Sequence, residues 1–176
     1  MPGLFSLPMN GQPSHDVRFI ADAMLGRLSR WLRLLGFDTL YYPDIKDGDL
    51  MRLAVQEGRC LLTRDTHFMN IRNFRNFLMV RSDDPIEQVM EVLKVLSPFN
   101  LDEFKPGRCA RCNGVLDPVA HREEVRNMVP EHVFLHCGSF LRCGACGNIY
   151  WEGTHLRRFR TMLNPVLMSL KQKALP

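Results

Sequence analysis

The sequence predicts an α/β protein, a parallel sheet flanked by helices, followed by a small ribbon held by cysteines. Two observations carry this. From Val17 to Leu96 short apolar runs alternate with helical periodicities, the pattern of parallel strands joined by crossover helices. Beyond about residue 105 that alternation stops, and two Cys-x-x-Cys pairs, Cys109–Cys112 and Cys143–Cys146, frame a segment of irregular apolar spacing.

The elements follow in order. Val17 to Ala21 reads as a buried strand ending at Asp22, and Met24 to Leu35 as a helix with Leu25, Leu28, Trp31, Leu32 and Leu35 on one side. Thr39 to Tyr42 makes the second strand, ending at Pro43-Asp44. Asp47 or Asp49 is placed to cap a helix from about Leu50 to Glu57, because an aspartate side chain there accepts an otherwise unpaired backbone N–H. Arg59 to Thr63 is the third strand and runs into Arg64-Asp65, and Phe77 to Val80 is the fourth, ending at Arg81-Ser82-Asp83. Asp84, Pro85 and Glu87 then resemble a capping box, before Ile86, Val89, Met90, Leu93 and Leu96 recur on one helical face. The resulting organisation is a flexible tail over 1–16, an α/β domain over 17–104, a ribbon over 105–160 and a basic C-terminal tail over 161–176.

With 24% charged and 45% hydrophobic residues, the chain of 176 residues has the composition of a globular protein. Residues 1–16 lack the basic start and apolar run of a signal peptide, and no stretch approaches the length of a membrane span. A cytoplasmic protein without membrane contact is the expectation. In a reducing compartment paired Cys-x-x-Cys motifs hold a metal more often than disulfides. The net charge of +4 permits a polyanionic partner without requiring one.

Three successive strands finish in aspartate. In a parallel sheet the carboxyl ends lie on one edge, so Asp22, Asp44 and Asp65 would project there together, with Asp83 after the fourth strand. Mg²⁺ or Mn²⁺ takes oxygen ligands and needs carboxylates converging from different parts of a chain. The bland alternative is that aspartates follow strands because they suit turns and caps. Asp47 and Asp49 are most exposed to that reading. Arg27, Arg30 and Arg33, at i, i+3 and i+6, form a slowly turning ridge opposite the Leu/Trp face, and Arg64 adjoins Asp65. Arginine forks on such a ridge suit phosphate oxygens, although a solvated helix face has the same spacing.

The cysteines are the most specific signal. Four thiolates in a tetrahedral array, Cys109, Cys112, Cys143 and Cys146, are the usual structural zinc site, and rubredoxin-like iron shares the spacing. Gly114 and Gly147 stand where the chain must bend. The insert over 113–142 is long for a ribbon and predicts extra structure around Glu123 to Phe134, with His121, His132, His136 and Cys137 in packing or surface roles. Cys60 reads as a small core residue.

The stretch Arg18-Phe-Ile-Ala-Asp22-Ala-Met-Leu-Gly-Arg27-Leu-Ser-Arg30-Trp-Leu-Arg33-Leu-Leu-Gly-Phe-Asp38, together with Leu61-Leu-Thr-Arg-Asp65 and both Cys-x-x-Cys pairs, resembles the RNase domain found at the C terminus of the Mut-seven exonuclease. The resemblance covers residues 17 to 160 and implies a PIN-like fold joined to a zinc ribbon. It further implies a divalent-metal RNase with Asp22 and Asp65 as acidic active-site positions, and an intervening acid carried to Asp49 first and Asp47 second. The expected activity is hydrolysis of RNA phosphodiesters on Mg²⁺ or Mn²⁺, with Arg27, Arg30, Arg33 and Arg64 orienting phosphates and Zn²⁺ held structurally. The rival expectations are a non-catalytic RNA-binding or ribosome-associated module, whose acids are caps, and a component of a toxin–antitoxin pair.

Overall fold

A computed structural model describes residues 17–96, 107–153, 157–158 and 161–164. The expected flexibility of residues 1–16 and the boundary near residue 105 lie outside those residues. Four strands, β1 (Phe19–Ala21), β2 (Thr39–Tyr41), β3 (Cys60–Thr63) and β4 (Phe77–Met79), form a sheet in the order β2-β1-β3-β4 with every pair parallel. The α/β expectation is met.

Helices cover both faces because successive strand residues point to opposite sides. Phe19, Ala21, Cys60 and Leu62 pack against α1 (Gly26–Leu34) and α3 (Pro85–Val95), while Ile20, Leu61 and Phe77 pack against α2 (Asp47–Gln56), Phe68 and Phe74. Burial on both faces explains why β1 and β3 read as continuous apolar runs. Leu163, beyond the ribbon, is buried in the α1/α3 cluster, so the chain returns there to the helix layer of the sheet. No helix among the described residues is long and apolar enough to cross a membrane.

Two local readings are refined by the structure. Asp84 does cap α3, accepting from the N–H groups of Ile86 and Glu87, but the box closes indirectly: the Asp84 N–H donates to Ser82 Oγ, which donates to Glu87 Oε2. By contrast, α2 begins at Asp47 with Lys46 as N-cap and no capping side chain, so Asp47 and Asp49 lie inside its first turn instead of before it. There their charge still suits the positive end of the helix.

The ribbon is a second, antiparallel sheet of β5 (Leu116–Pro118), β6 (Phe140–Cys143) and β7 (Ile149–Trp151). The long insert contains a short helix, α4 (Glu131–His136), and an apolar cluster of Val125, Val129, Val133, Phe134, Phe140 and Ile149. Cys137 packs against that cluster, and the three histidines take no part in the thiolate group.

Burial pushes the Cys60 thiol up to about 12. Its thiolate is therefore scarce, and the thiolate is the reactive form. In the native protein Cys60 is expected to resist a thiol-specific reagent at pH 8, and to react once guanidinium unfolds the chain. Mass spectrometry of the labelled peptide checks this, and rapid native labelling would contradict the packing of β3.

Candidate functional site

The strand order creates the site. The chain crosses from β1 to β2 on one side, then passes over to β3 on the other side of β1, so β1 and β3 flank the point where winding reverses. A crevice opens at the carboxyl ends of such a strand pair. Asp22 directly follows β1 there, and Asp65 stands two residues beyond the end of β3. Between them stands Thr63, whose hydroxyl donates to Asp22 Oδ2 at 2.8 Å and accepts the Asp65 N–H at 3.0 Å. The Asp22 N–H also donates to Leu62 O at 2.9 Å, fixing the backbone at the rim.

The two acids differ. Asp65 caps the short 3-10 turn Thr66–Asn70, its Oδ1 accepting from the His67 N–H, and its side chain is exposed. Asp22 precedes a comparable turn, Ala23–Leu25, yet makes no capping bond. It is only 9% exposed, and no arginine or lysine among the described residues forms an ion pair with it. A buried carboxylate without a positive partner is costly, and a coordinated cation is one of the few ways to relieve it. The Asp22 carboxylate, held by the Thr63 hydroxyl, and the Asp65 carboxylate, whose backbone N–H bonds the same hydroxyl, each keep an oxygen left over and so supply the hard donors a divalent ion takes.

The other acids are not gathered as closely. Asp47 and Asp49 sit at the start of α2, which leaves the same rim after β2, but Asp49 is exposed and pairs with Arg52 at 2.8 Å. Asp44 is exposed in the turn after β2, and Asp83 pairs with Arg64. Among the described residues, the group of three or more His, Cys, Asp or Glu donors lying within 4.8 Å of one another is the cysteine set, not a carboxylate set.

Beside the acids lies a cleft of ≈ 390 Å³ that starts at their chain neighbours Ala23 and Arg64 and includes Arg27 and Arg30. Tyr41 forms part of its wall because residue 26 is glycine: a Cβ there would stand 2.7 Å from the Tyr41 hydroxyl, which donates to Ala23 O at 3.0 Å. Arg27 and Arg30 are exposed on this wall, as the ridge predicts.

Arg33 corrects that prediction. It is 5% exposed, and its guanidinium is spent on backbone carbonyls: Nε donates to Thr39 O at 2.8 Å, and Nη1 to Ala110 O at 3.0 Å and Arg111 O at 3.2 Å. A ridge at three-residue spacing drifts by about 60° per step around a helix of 3.6 residues per turn. By Arg33 it has rotated out of the groove and into the contact with the first Cys-x-x-Cys loop. Burial lowers the Arg33 pKa, opposed by the nearby Cys109 and Cys112 thiols. Around it the ribbon is fastened further: Asn113 Oδ1 accepts the Thr39 N–H at 3.1 Å, and Asn113 Nδ2 donates to Asp38 Oδ1 at 2.7 Å. Burial alone would raise the Asp38 pKa, but hydrogen bonds from Arg59 and Asn113 outweigh it and hold the carboxyl below its usual range.

Replacing Arg33 by Met leaves three carbonyls, one buried and two partly buried, without their donor, and a hydrogen bond to a charged group contributes roughly 1.5–3 kcal/mol. Since the carbonyls can in part find water, Arg33→Met is expected to cost about 3 kcal/mol, or roughly 10 °C in Tm. Arg30→Met, on the exposed wall, should shift stability by no more than about 0.5 kcal/mol. Equal melting points for the two variants would return Arg33 to the surface.

The cysteines form two matched loops. Cys109 N–H donates to Gly114 O and Asn113 N–H to Cys109 O, and Cys143 N–H donates to Asn148 O and Gly147 N–H to Cys143 O, at 2.8, 2.8, 2.9 and 2.9 Å. The left-handed positions are Asn113 and Gly147, with φ of 70° and 72°. Gly114 serves differently from expectation, since a Cβ there would lie 2.9 Å from Cys143 Sγ. The four sulfurs lie within 4.8 Å of one another, with Cys112–Cys143 at 3.4 Å and Cys109–Cys146 at 3.5 Å. Zinc–sulfur bonds of about 2.3 Å in a tetrahedron put sulfurs about 3.8 Å apart, so the set can hold a metal ion with little movement. Burial opposes ionisation of Cys109, yet hydrogen bonds from the Tyr150 hydroxyl and from the backbone at Cys112 and Arg111 lower its pKa, favouring the thiolate a metal needs.

Sequence reasoning missed the part played by Thr63, the Asp38–Arg59–Asn113 cluster and the turn of Arg33. The register Ala21↔Leu62, which puts Asp22 opposite Thr63, is what a single sequence does not display. A search among curated proteins finds no match. The sequence model of one family does match, over residues 17–163, a span that takes in Asp22, Asp65 and all four metal-ready cysteines, and the chain thus belongs to the Mut7-C RNAse domain family.

Proposed function

We propose that the protein is a metal-dependent ribonuclease that hydrolyses RNA phosphodiesters at the crevice between β1 and β3, and that its cysteine ribbon holds structural Zn²⁺. The observation that carries the reading is Asp22: a buried carboxylate without a cationic partner among the described residues, joined through Thr63 to Asp65 at the winding reversal and flanked by a cationic cleft. Asp22 and Asp65 would hold Mg²⁺ or Mn²⁺, with Asp49, or else Asp47, as a further acid reached by a side-chain movement from the first turn of α2.

When bound, such an ion lowers the pKa of water and offsets charge developing on a phosphodiester. The chain's own residues do the rest. Thr63 orients the Asp22 carboxylate by donating to one of its oxygens, and Arg27 and Arg30 orient phosphate oxygens along the cleft. Arg64, whose Nη2 pairs with the exposed Asp83 and whose buried Nε has no partner among the described residues, is placed to exchange that carboxylate for a phosphate.

The test is direct. Purified protein is incubated with single-stranded RNA and Mn²⁺, and compared with an Asp22→Asn, Asp65→Asn double variant. Mn²⁺-dependent cleavage by the wild type alone supports the assignment, and equal cleavage by both removes it.

A further inference from the structure

The cleft beside Asp22 and Asp65 does not end at the sheet. It shares Arg30 and Tyr41 with a second depression of ≈ 470 Å³, whose far wall is the first cysteine loop with Ala110 and Arg111, together with Tyr150 of β7. We propose that these two depressions form one track for single-stranded RNA and that Arg111, at the tip of the Cys109–Cys112 loop, grips a backbone phosphate remote from the acids. The ribbon thereby sets the length of strand the enzyme holds. This rests on the ribonuclease reading and extends it to the form of the substrate.

Charge selects a polyanion. Arg27, Arg30 and Arg111 are exposed and form no ion pair among the described residues, while Asp83, the carboxylate on the lining of the track, is already matched to Arg64. The aromatic rings select a single strand. Both tyrosines are held through their hydroxyls, Tyr41 on Ala23 O at 3.0 Å and Tyr150 on Cys109 Sγ at 3.2 Å, which fixes the rings while leaving them half-exposed in the track. Fixed aromatic faces along a cationic groove are how unpaired bases are held without sequence preference.

The position of Arg111 is also fixed. Arg33 holds the carbonyls of Ala110 and Arg111, and Asn113 is hydrogen-bonded to the edge strand β2, so the loop is fastened to the catalytic lobe at both ends. Arg111 therefore enters binding with its backbone already ordered, which reduces the entropy cost of the contact. Arg33 acts on RNA through this loop, as a positioning residue.

Binding of an end-labelled oligouridylate of about 12 nucleotides is followed by fluorescence anisotropy across a salt series, in an Asp22→Asn background that keeps the RNA intact. Arg111→Gln is compared with Arg18→Gln, a matched charge loss at the opposite, amino-terminal edge of the sheet. Arg111→Gln is expected to weaken binding about tenfold and to reduce the salt slope by about one, and Arg18→Gln to do neither. The affinity gained between oligomers of about 3 and about 12 nucleotides should shrink in Arg111→Gln. Metal content and Tm are measured on each variant. Should the Gln variant lose metal, Arg111→Lys, which keeps the charge, must restore both metal content and affinity. Equal binding by the two Gln variants overturns the proposal, as does duplex RNA bound as tightly as the single strand. Failure of the ribonuclease reading shows separately, as absence of Mn²⁺-dependent cleavage by the wild type.

Discussion

Asp22→Asn is expected to reduce Mn²⁺-dependent RNA cleavage on the order of 10³-fold while leaving the melting temperature in metal-free buffer unchanged or slightly raised. On the proposed reading the activity loss follows from charge: Asp22 would help hold an ion that activates water and offsets phosphate charge, which would be worth several kcal/mol of barrier, at 1.36 kcal/mol per tenfold. The stability result follows from burial. The carboxylate is 9% exposed with no ion pair among the described residues, so the neutral amide removes an unfavourable buried charge, while its carbonyl oxygen still accepts the Thr63 hydroxyl. Functional sites commonly carry such a stability deficit. Addition of Mn²⁺ should raise Tm in the wild type and fail to do so in the variant, because an ion that binds only the native state stabilises it by mass action. A variant that melts well below the wild type in metal-free buffer would make Asp22 a structural residue and refute this account.

The contrast between Asp22 and Asp84 shows what a single sequence can reveal. Asp84 caps α3 through contacts two and three residues away, so its role is local and was legible from Asp-Pro-x-Glu spacing alone. The parallel strands were legible for the same reason: continuous apolar runs with short helices between them leave few alternatives. The start of α2 was not. Its first turn carries no buried residue until Leu50, so apolar periodicity cannot detect Asp47 to Asp49 as helical. Arg33 was hidden for a different reason. Its surroundings come from residues 110 and 111, and only docking of the ribbon turns the last arginine of an exposed ridge into a buried one. Thr63 lay within the recognised Thr-Arg-Asp motif, but its link to Asp22 depends on strand register, which is a long-range property.

Metal removal from the cysteine set is expected to destabilise both lobes in one transition, not the ribbon alone. Structural zinc contributes about 10–16 kcal/mol of apparent binding energy in small domains that fold only with metal. The ribbon has little to replace it, since among the described residues the apolar cluster around the cysteine sulfurs is small, Cys109, Leu116 and Cys143 with Leu141 and Tyr150 partly buried against them, and the apolar cluster of α4 belongs to the insert. Release would then spread through the contacts that fasten the first loop. Arg33 would lose the Ala110 and Arg111 carbonyls, and the Thr39 N–H on the edge strand β2 and the Asp38 carboxylate would lose Asn113. Arg33 is already buried between α1 and β2, so its charge would be left short of acceptors inside the α/β lobe, a far larger penalty than an exposed arginine bears. Cys146→Ser, or a zinc chelator applied to the wild type, should therefore lower the single melting transition and abolish cleavage of RNA even when Mn²⁺ is supplied in excess. Hydrogen exchange locates the effect: the amides of Thr39 and its β2 neighbours should lose protection together with those of Cys109 to Asn113. Protection retained in β2 while the loop exchanges freely would mean that the two lobes are independent, and that the ribbon's metal does not support the catalytic sheet.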